Sequence, residues 1–132
     1  MKLRMKTSFL FLLTLALGLT VIAQTPSAKL SPVGTWTGTA ENMGSYDAIT
    51  VVIEKKGDTY TGKINDVMGM FPDSEIKNFV WKGEKISFEF PGAMGDMSFN
   101  IKADLALTEK TLNGTWTVPD AGLAGAIELA RK

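Results

Sequence analysis

Histidine and cysteine are both absent from the 132 residues. Their absence excludes Ser-His-Asp and Cys-His nucleophile pairs, a histidine general base, and zinc sites built on imidazole or thiolate. Disulfides are excluded as well, and so is lipid attachment at a lipobox cysteine. No stretch has the alternating Asp/Asn spacing and terminal Glu of a calcium loop, so no metal is expected. Nothing in the sequence holds two carboxylates at a defined separation. No catalytic residue and no cofactor is therefore assigned, and the chain reads as a non-enzyme.

What is present begins with a three-part leader. Lys2, Arg4 and Lys6 precede an almost wholly apolar run from Phe9 to Ile22, and Val21-Ile22-Ala23 supplies small residues for cleavage after Ala23. The run is short for a bilayer span, so residues 1–23 are expected to be a cleaved Sec-type signal peptide. The product would be periplasmic or extracellular and not a lipoprotein. Residues 24–31 read as a flexible linker and 32–132 as the folded domain. Three of the 14 basic residues lie in the leader, which leaves 11 against 14 acidic ones and a net charge near −3. Nucleic acid is not an expected partner, because its binding rests on clustered Lys and Arg. Without disulfides, one core must hold the domain together.

Beyond the linker no window sustains a helical period. Apolar and polar residues alternate between turn signals, which predicts strands starting near Val33, Tyr46, Thr59, Ser74, Lys85, Asp96, Thr111 and Gly125. Gly57-Asp58, Gly83-Glu84 and Glu109-Lys110 read as two-residue hairpin turns. Residues equidistant from such a turn share a face, and the pairs Trp81/Ile86, Phe79/Phe88 and Leu107/Leu112 match apolar with apolar. Ile76 alone is out of phase with Phe79 and Trp81. Either a bulge near Lys77-Asn78 restores the phase, or Ile76 covers the rim or outer face.

The remaining connections read as long: 41–45, 67–73, 91–96 and 119–125. In a meander they fall at one end, together with Met43, Met68, Met70, Met94 and Met97 and the acidic Glu41, Asp47, Asp66, Asp73, Asp96 and Asp120. Lys55, Lys56, Lys82, Lys85 and Lys110 fall at the other. An apolar-faced meander of eight strands with no covering helix is expected to close into an antiparallel up-and-down barrel, with a two-sheet sandwich as the alternative. Gly38, Gly62 and Gly114 on the inner face would either leave a cavity or make room for tryptophans.

Val33-Gly34-Thr35-Trp36 near the start, with Arg131 at the end, resembles the lipocalin and calycin pattern. That resemblance implies a barrel whose closed end is plugged by Trp36 with Arg131 packed over it. Gly34-Thr35-Trp36-Thr37-Gly38, Thr61-Gly62, Gly83 to Phe88, Leu112 to Trp116 and Ile127 to Arg131 also resemble the small β-barrel domain of secreted bacterial proteins, found alone or preceding some secreted α/β-hydrolases. That group implies a fold and no reaction. A local likeness to avidins, in Gly34-Thr35-Trp36, Met43-Gly44-Ser45 and Thr61-Gly62, implies Ser45 as a ligand contact; later avidin tryptophans have no counterpart. Fatty-acid-binding proteins share a similar first strand, but 41–45 is too short for their helical lid.

Two functions follow as expectations. In the first, a small apolar ligand binds through the Met-Gly end, contacted by Met43, Ser45, Met68, Met70, Phe71, Met94 and Met97, since methionine adapts to varied apolar shapes. In the second, the barrel is filled and the same end meets a protein or glycan. Barrel volume separates the two.

Overall fold

The computed structural model describes residues 30–71, 73–94 and 96–132. The expected leader, residues 1–23, and most of the expected linker, residues 24–31, lie outside them. The described chain is all β: β1 (Gly34–Asn42), β2 (Ser45–Lys56), β3 (Thr59–Asp66), β4 (Ser74–Glu75), β5 (Lys77–Lys82), β6 (Lys85–Met94), β7 (Met97–Leu107), β8 (Thr111–Val118) and β9 (Leu123–Arg131). They form one antiparallel sheet in the order β4-β3-β2-β1-β9-β8-β7-β6-β5, curled into a nearly closed barrel. The sandwich alternative is thereby set aside.

The strand count is nine, because the expected fourth strand divides at Ile76. Its first part, β4, pairs with β3, and its second, β5, pairs with β6. The division follows from a phase problem. Ile76 is buried, and the β5–β6 register slips between Lys77 and Val80, with Asn78 in the left-handed region at φ 52°. This bulge turns Ile76, Phe79 and Trp81 to the same side. Around the seam, Ile76 N–H donates to the Gly62 carbonyl, and Tyr60 packs on Phe79 and Trp81 at ring separations of 5.4 and 5.7 Å. Side chains close what the ladder leaves open.

The three tight hairpins have the expected partners: Lys56 opposite Thr59, Trp81 opposite Ile86 and Leu107 opposite Leu112. Two connections expected to be long are short instead. Asn42 pairs with Ser45 around Met43-Gly44, both at positive φ, and β6 runs to Met94 opposite Met97. The paired φ values of 51° and 84° at Met43-Gly44 match the turn whose twist suits a two-residue hairpin. Only 67–73 and the turn at Pro119–Gly122 remain as true loops.

The core runs the length of the barrel: Trp36, Ile53, Ile64, Ile86, Phe88, Phe90, Leu107, Leu112 and Val118 are almost wholly enclosed. Met97 shares their parity but projects past the rim and is 69% exposed. The inner glycines neither leave a void nor seat tryptophans. A Cβ on Gly38 would strike the Glu128 carbonyl, and one on Gly114 the Asp104 carbonyl, so each lets two strands approach closely in a tightly coiled wall. Gly125 is the position that accommodates a tryptophan, Trp116.

At the end carrying Gly57-Asp58, Gly83-Glu84 and 108–110, Trp36 is fully buried and its indole N–H donates to the Pro32 carbonyl at 3.0 Å. The Arg131 guanidinium lies 4.2 Å from the Trp36 ring centroid and donates to the carbonyls of Val33, Ser31 and Glu109. One planar fork thus ties the chain entering β1, the end of β9 and the β7–β8 turn. Lysine keeps the charge but cannot present that fork. Arg131→Lys should therefore lower stability by about 1–2 kcal/mol, read from the urea midpoint at unchanged slope.

Candidate functional site

The opposite end holds the Met43-Gly44 turn, the 67–73 loop, the β6–β7 turn and Pro119–Gly122, since alternate connections of a meander share an end. Its turns and rims contain no Lys or Arg among residues 41–47, 66–73, 93–97 and 118–123. The other end is mixed: Asp58, Glu84 and Glu109 stand in its turns beside the lysines. One end is therefore acidic, and the other keeps an excess of lysine over acid.

Residues 67–71 form a strap across the acidic mouth. Val67 N–H donates to the Ala48 carbonyl of β2, and the Met70 carbonyl accepts from Ala93 N–H on β6, so the strap bridges the two sides of the seam. Phe71 turns inward and packs edge-on to Phe90 at 5.2 Å. Met70 is half-buried, its sulfur 3.7 Å from the Asn42 side-chain nitrogen. Beneath them lies a cavity of about 40 Å³ walled by apolar side chains including Ile49, Ile101, Trp116 and Ile127, with Asn42 and Asp47 as its polar members. A water needs roughly 10–15 Å³ and a small-molecule site roughly 300–1,000 Å³. In this closed form the cavity has room for a few waters.

The site residues named from sequence divide accordingly. Met43, Ser45, Met68 and Met97 are exposed to solvent, Met43 at 86% and Met68 at 62%. Met70 and Phe71 face inward as the plug. Met94 ends β6, and its side chain lies outside the described part of the structure. Tyr46 and Val67 are exposed beside Met43 and Met68 and extend the apolar rim. Their strand parity, opposite to that of Asp47 and Asp66, was the available signal for them.

Two acidic residues matter here as a pair. Asp47 on β2 is 3% exposed, and Asp66 on β3 is half-buried next to it. Asp66 accepts from Met70 N–H at 2.9 Å and Phe71 N–H at 3.0 Å; Asp47 accepts from Met68 N–H at 3.2 Å. Both carboxyls therefore anchor the strap. Burial, then the hydrogen bond shared with Asp66, pushes Asp47 up to about 6. Burial also acts on Asp66, but the bonds from Asp47 and from the strap amides outweigh it and hold Asp66 below the usual carboxylate range. The folded pair keeps one proton up to about pH 6, whereas an unfolded aspartate releases it near 3.8. In that window the native state binds the extra proton, so stability falls as pH rises through it.

Comparison with known proteins finds no matching family model, no matching curated protein and no matching solved structure.

Proposed function

We propose that this chain is a secreted, non-catalytic, lipocalin-like barrel that meets a protein partner through its acidic, methionine-rich end. The carrying observation is a closed barrel mouth, with Met70 and Phe71 plugging about 40 Å³, ringed by outward Met43, Tyr46, Val67, Met68 and Met97. A rim of exposed apolar side chains on a filled barrel is what an interaction site requires and a core does not. Methionines give such a surface adaptability. The absence of Lys and Arg from this end favours a partner that brings basic side chains around an apolar centre. A glycan surface would need exposed stacking rings, yet Trp36 and Trp116 are buried and, among the described residues, only Tyr46 stands free on this rim. The Trp36–Arg131 closure of the other end supports the lipocalin-like reading, and the signal peptide proposed for residues 1–23 supports the location.

Met43 carries a further indication. It occupies the left-handed region at φ 51°, where Asn, Asp or Gly would sit with less strain, and its side chain is almost wholly solvent-facing. Met43→Asn should add up to about 1 kcal/mol of stability by relieving the turn. The combined variant Met43→Asn, Met68→Asp, Met97→Asp should keep the thermal midpoint within a few degrees. It should also lose the partner recovered by cross-linking the wild-type chain on its source cells. Equal recovery by the variant sinks this reading; binding on a carbohydrate array with no protein recovered redirects it to a glycan. The apolar walls under the strap favour a second reading, a small apolar ligand, which requires the strap to lift. Uptake of 1-anilinonaphthalene-8-sulfonate that is lost in a Phe71→Asp variant would support it.

A further inference from the structure

The strap's anchors are an unusual choice. Its amides could be held by backbone carbonyls, as Val67 N–H is, but three of them bond to two carboxyls on neighbouring strands. No N–H or O–H from the rest of the described residues reaches Asp47 Oδ2, although this atom is buried. A buried carboxylate oxygen with no donor is costly, and it ceases to be a misfit when it is itself a hydroxyl donating to Asp66. A proton between the two side chains completes the arrangement.

Among the described residues, nothing else nearby can neutralise a second negative charge. β1 places Ala40 opposite Asp47, and the cavity wall beyond it consists of Phe90 from β6, Phe99 and Ile101 from β7, Trp116 and Val118 from β8 and Leu123 and Ile127 from β9. Glu41 and Tyr46 flank the pair but alternate to the outer side, and Asp73, Asp96 and Asp120 sit in exposed turns. Among the described residues, every charged group at this end is acidic, and no Lys or Arg lines the cavity.

We propose that Asp47 and Asp66 are a proton-dependent latch: with one proton shared between them, the 67–71 strap is held over the barrel mouth, and loss of that proton releases it. Ionisation of both leaves two adjacent anions under Phe71, one of them facing an apolar cavity with space for only a few waters. β2 and β3 are locked by their ladder, so the strap is the part that can yield, and lifting it admits solvent to the carboxylates. The upward-held Asp47, near 6, places the release between mildly acid and neutral conditions. The latch rests on the proposed binding end only for its consequence: Val67 and Met68 ride on the strap, so the proton would switch the binding surface and access to the cavity together.

Amide hydrogen exchange of the free protein tests this between about pH 5 and about pH 7.5. Corrected for intrinsic chemistry, protection of Met68, Met70 and Phe71 should fall by up to about tenfold across the range, the limit that linkage to one proton sets. Protection of Leu107 and Leu129 should stay level. Asp47→Asn supplies a non-titrating donor to Asp66 and should keep the strap protected at both ends of the range. Strap protection that tracks Leu107 and Leu129 throughout overturns the latch, as does an Asp47→Asn protein with the wild-type fall. Should Asp47→Asn not fold, carboxyl carbon shifts of the wild type decide: the Asp47 carboxyl and the Phe71 amide must titrate at one midpoint, and separate midpoints reject the proposal. Because no partner is present, a failed latch leaves the binding surface standing, and unchanged partner recovery by the methionine variant leaves the latch standing.

Discussion

Trp36→Ala should remove about 3–5 kcal/mol of unfolding free energy, enough to bring many domains of this size close to their unfolding limit. The indole is fully buried at the closed end, so its loss opens a cavity lined by strands that are fixed in a ladder and cannot collapse into it. Two further contacts go with it: the bond to the Pro32 carbonyl and the ring face under Arg131. Without the ring, the guanidinium has no surface to lie on while it ties Ser31, Val33 and Glu109. The measurement is urea unfolding followed by the fluorescence of Trp81 and Trp116. Trp36→Phe should recover roughly half of the loss, because it restores most of the area but no N–H donor. A loss below about 1 kcal/mol for Trp36→Ala would mean that the closed end is not packed as described.

Gly114→Val should cost more than about 3 kcal/mol and yield little folded protein. The neighbouring strand leaves no room at this position: a Cβ would meet the Asp104 carbonyl and lie 2.8 Å from the Leu105 Cα. Backbone cannot turn aside as a side chain can, so β7 and β8 would have to separate along a ladder that runs from Lys102–Thr117 to Leu107–Leu112. The wall would then lose the coiling that closes the barrel. A useful comparison is Gly57→Ala, where a Cβ meets nothing within 4 Å and only the left-handed backbone at φ 64° resists. That variant should fold, with a loss of about 1–2 kcal/mol. Soluble yield and thermal midpoint of the two proteins, measured side by side, check the pair; similar behaviour would reject close strand approach as the reason for Gly114.

Much of the barrel was legible because strand alternation has a period of two and hairpin pairing is local. The registers around Gly57-Asp58, Gly83-Glu84 and Glu109-Lys110 follow from turn residues and apolar parity alone. Ile76 broke that parity, and a bulge beside it was one of the two readings the parity allowed. The Met43-Gly44 and β6–β7 connections were misread as loops because glycine and methionine carry weak strand preference. A neighbouring strand overrides that preference by offering hydrogen bonds out to Asn42–Ser45 and Met94–Met97.

The functional end was legible as a location and not as an arrangement. Sequence by itself determined that the chain has no histidine or thiol chemistry, that its described part is built of strands, and that the methionines and one group of acids gather at a single end. Only the tertiary structure decided which of them face in. Met70 and Phe71 plug the mouth while Met43, Met68 and Met97 face solvent. Asp47 and Asp66, nineteen positions apart, meet under one strap. Those outcomes depend on how far each strand extends past its neighbour and where the loop crosses the mouth. Both are set by contacts between distant segments, to which a local periodicity is blind.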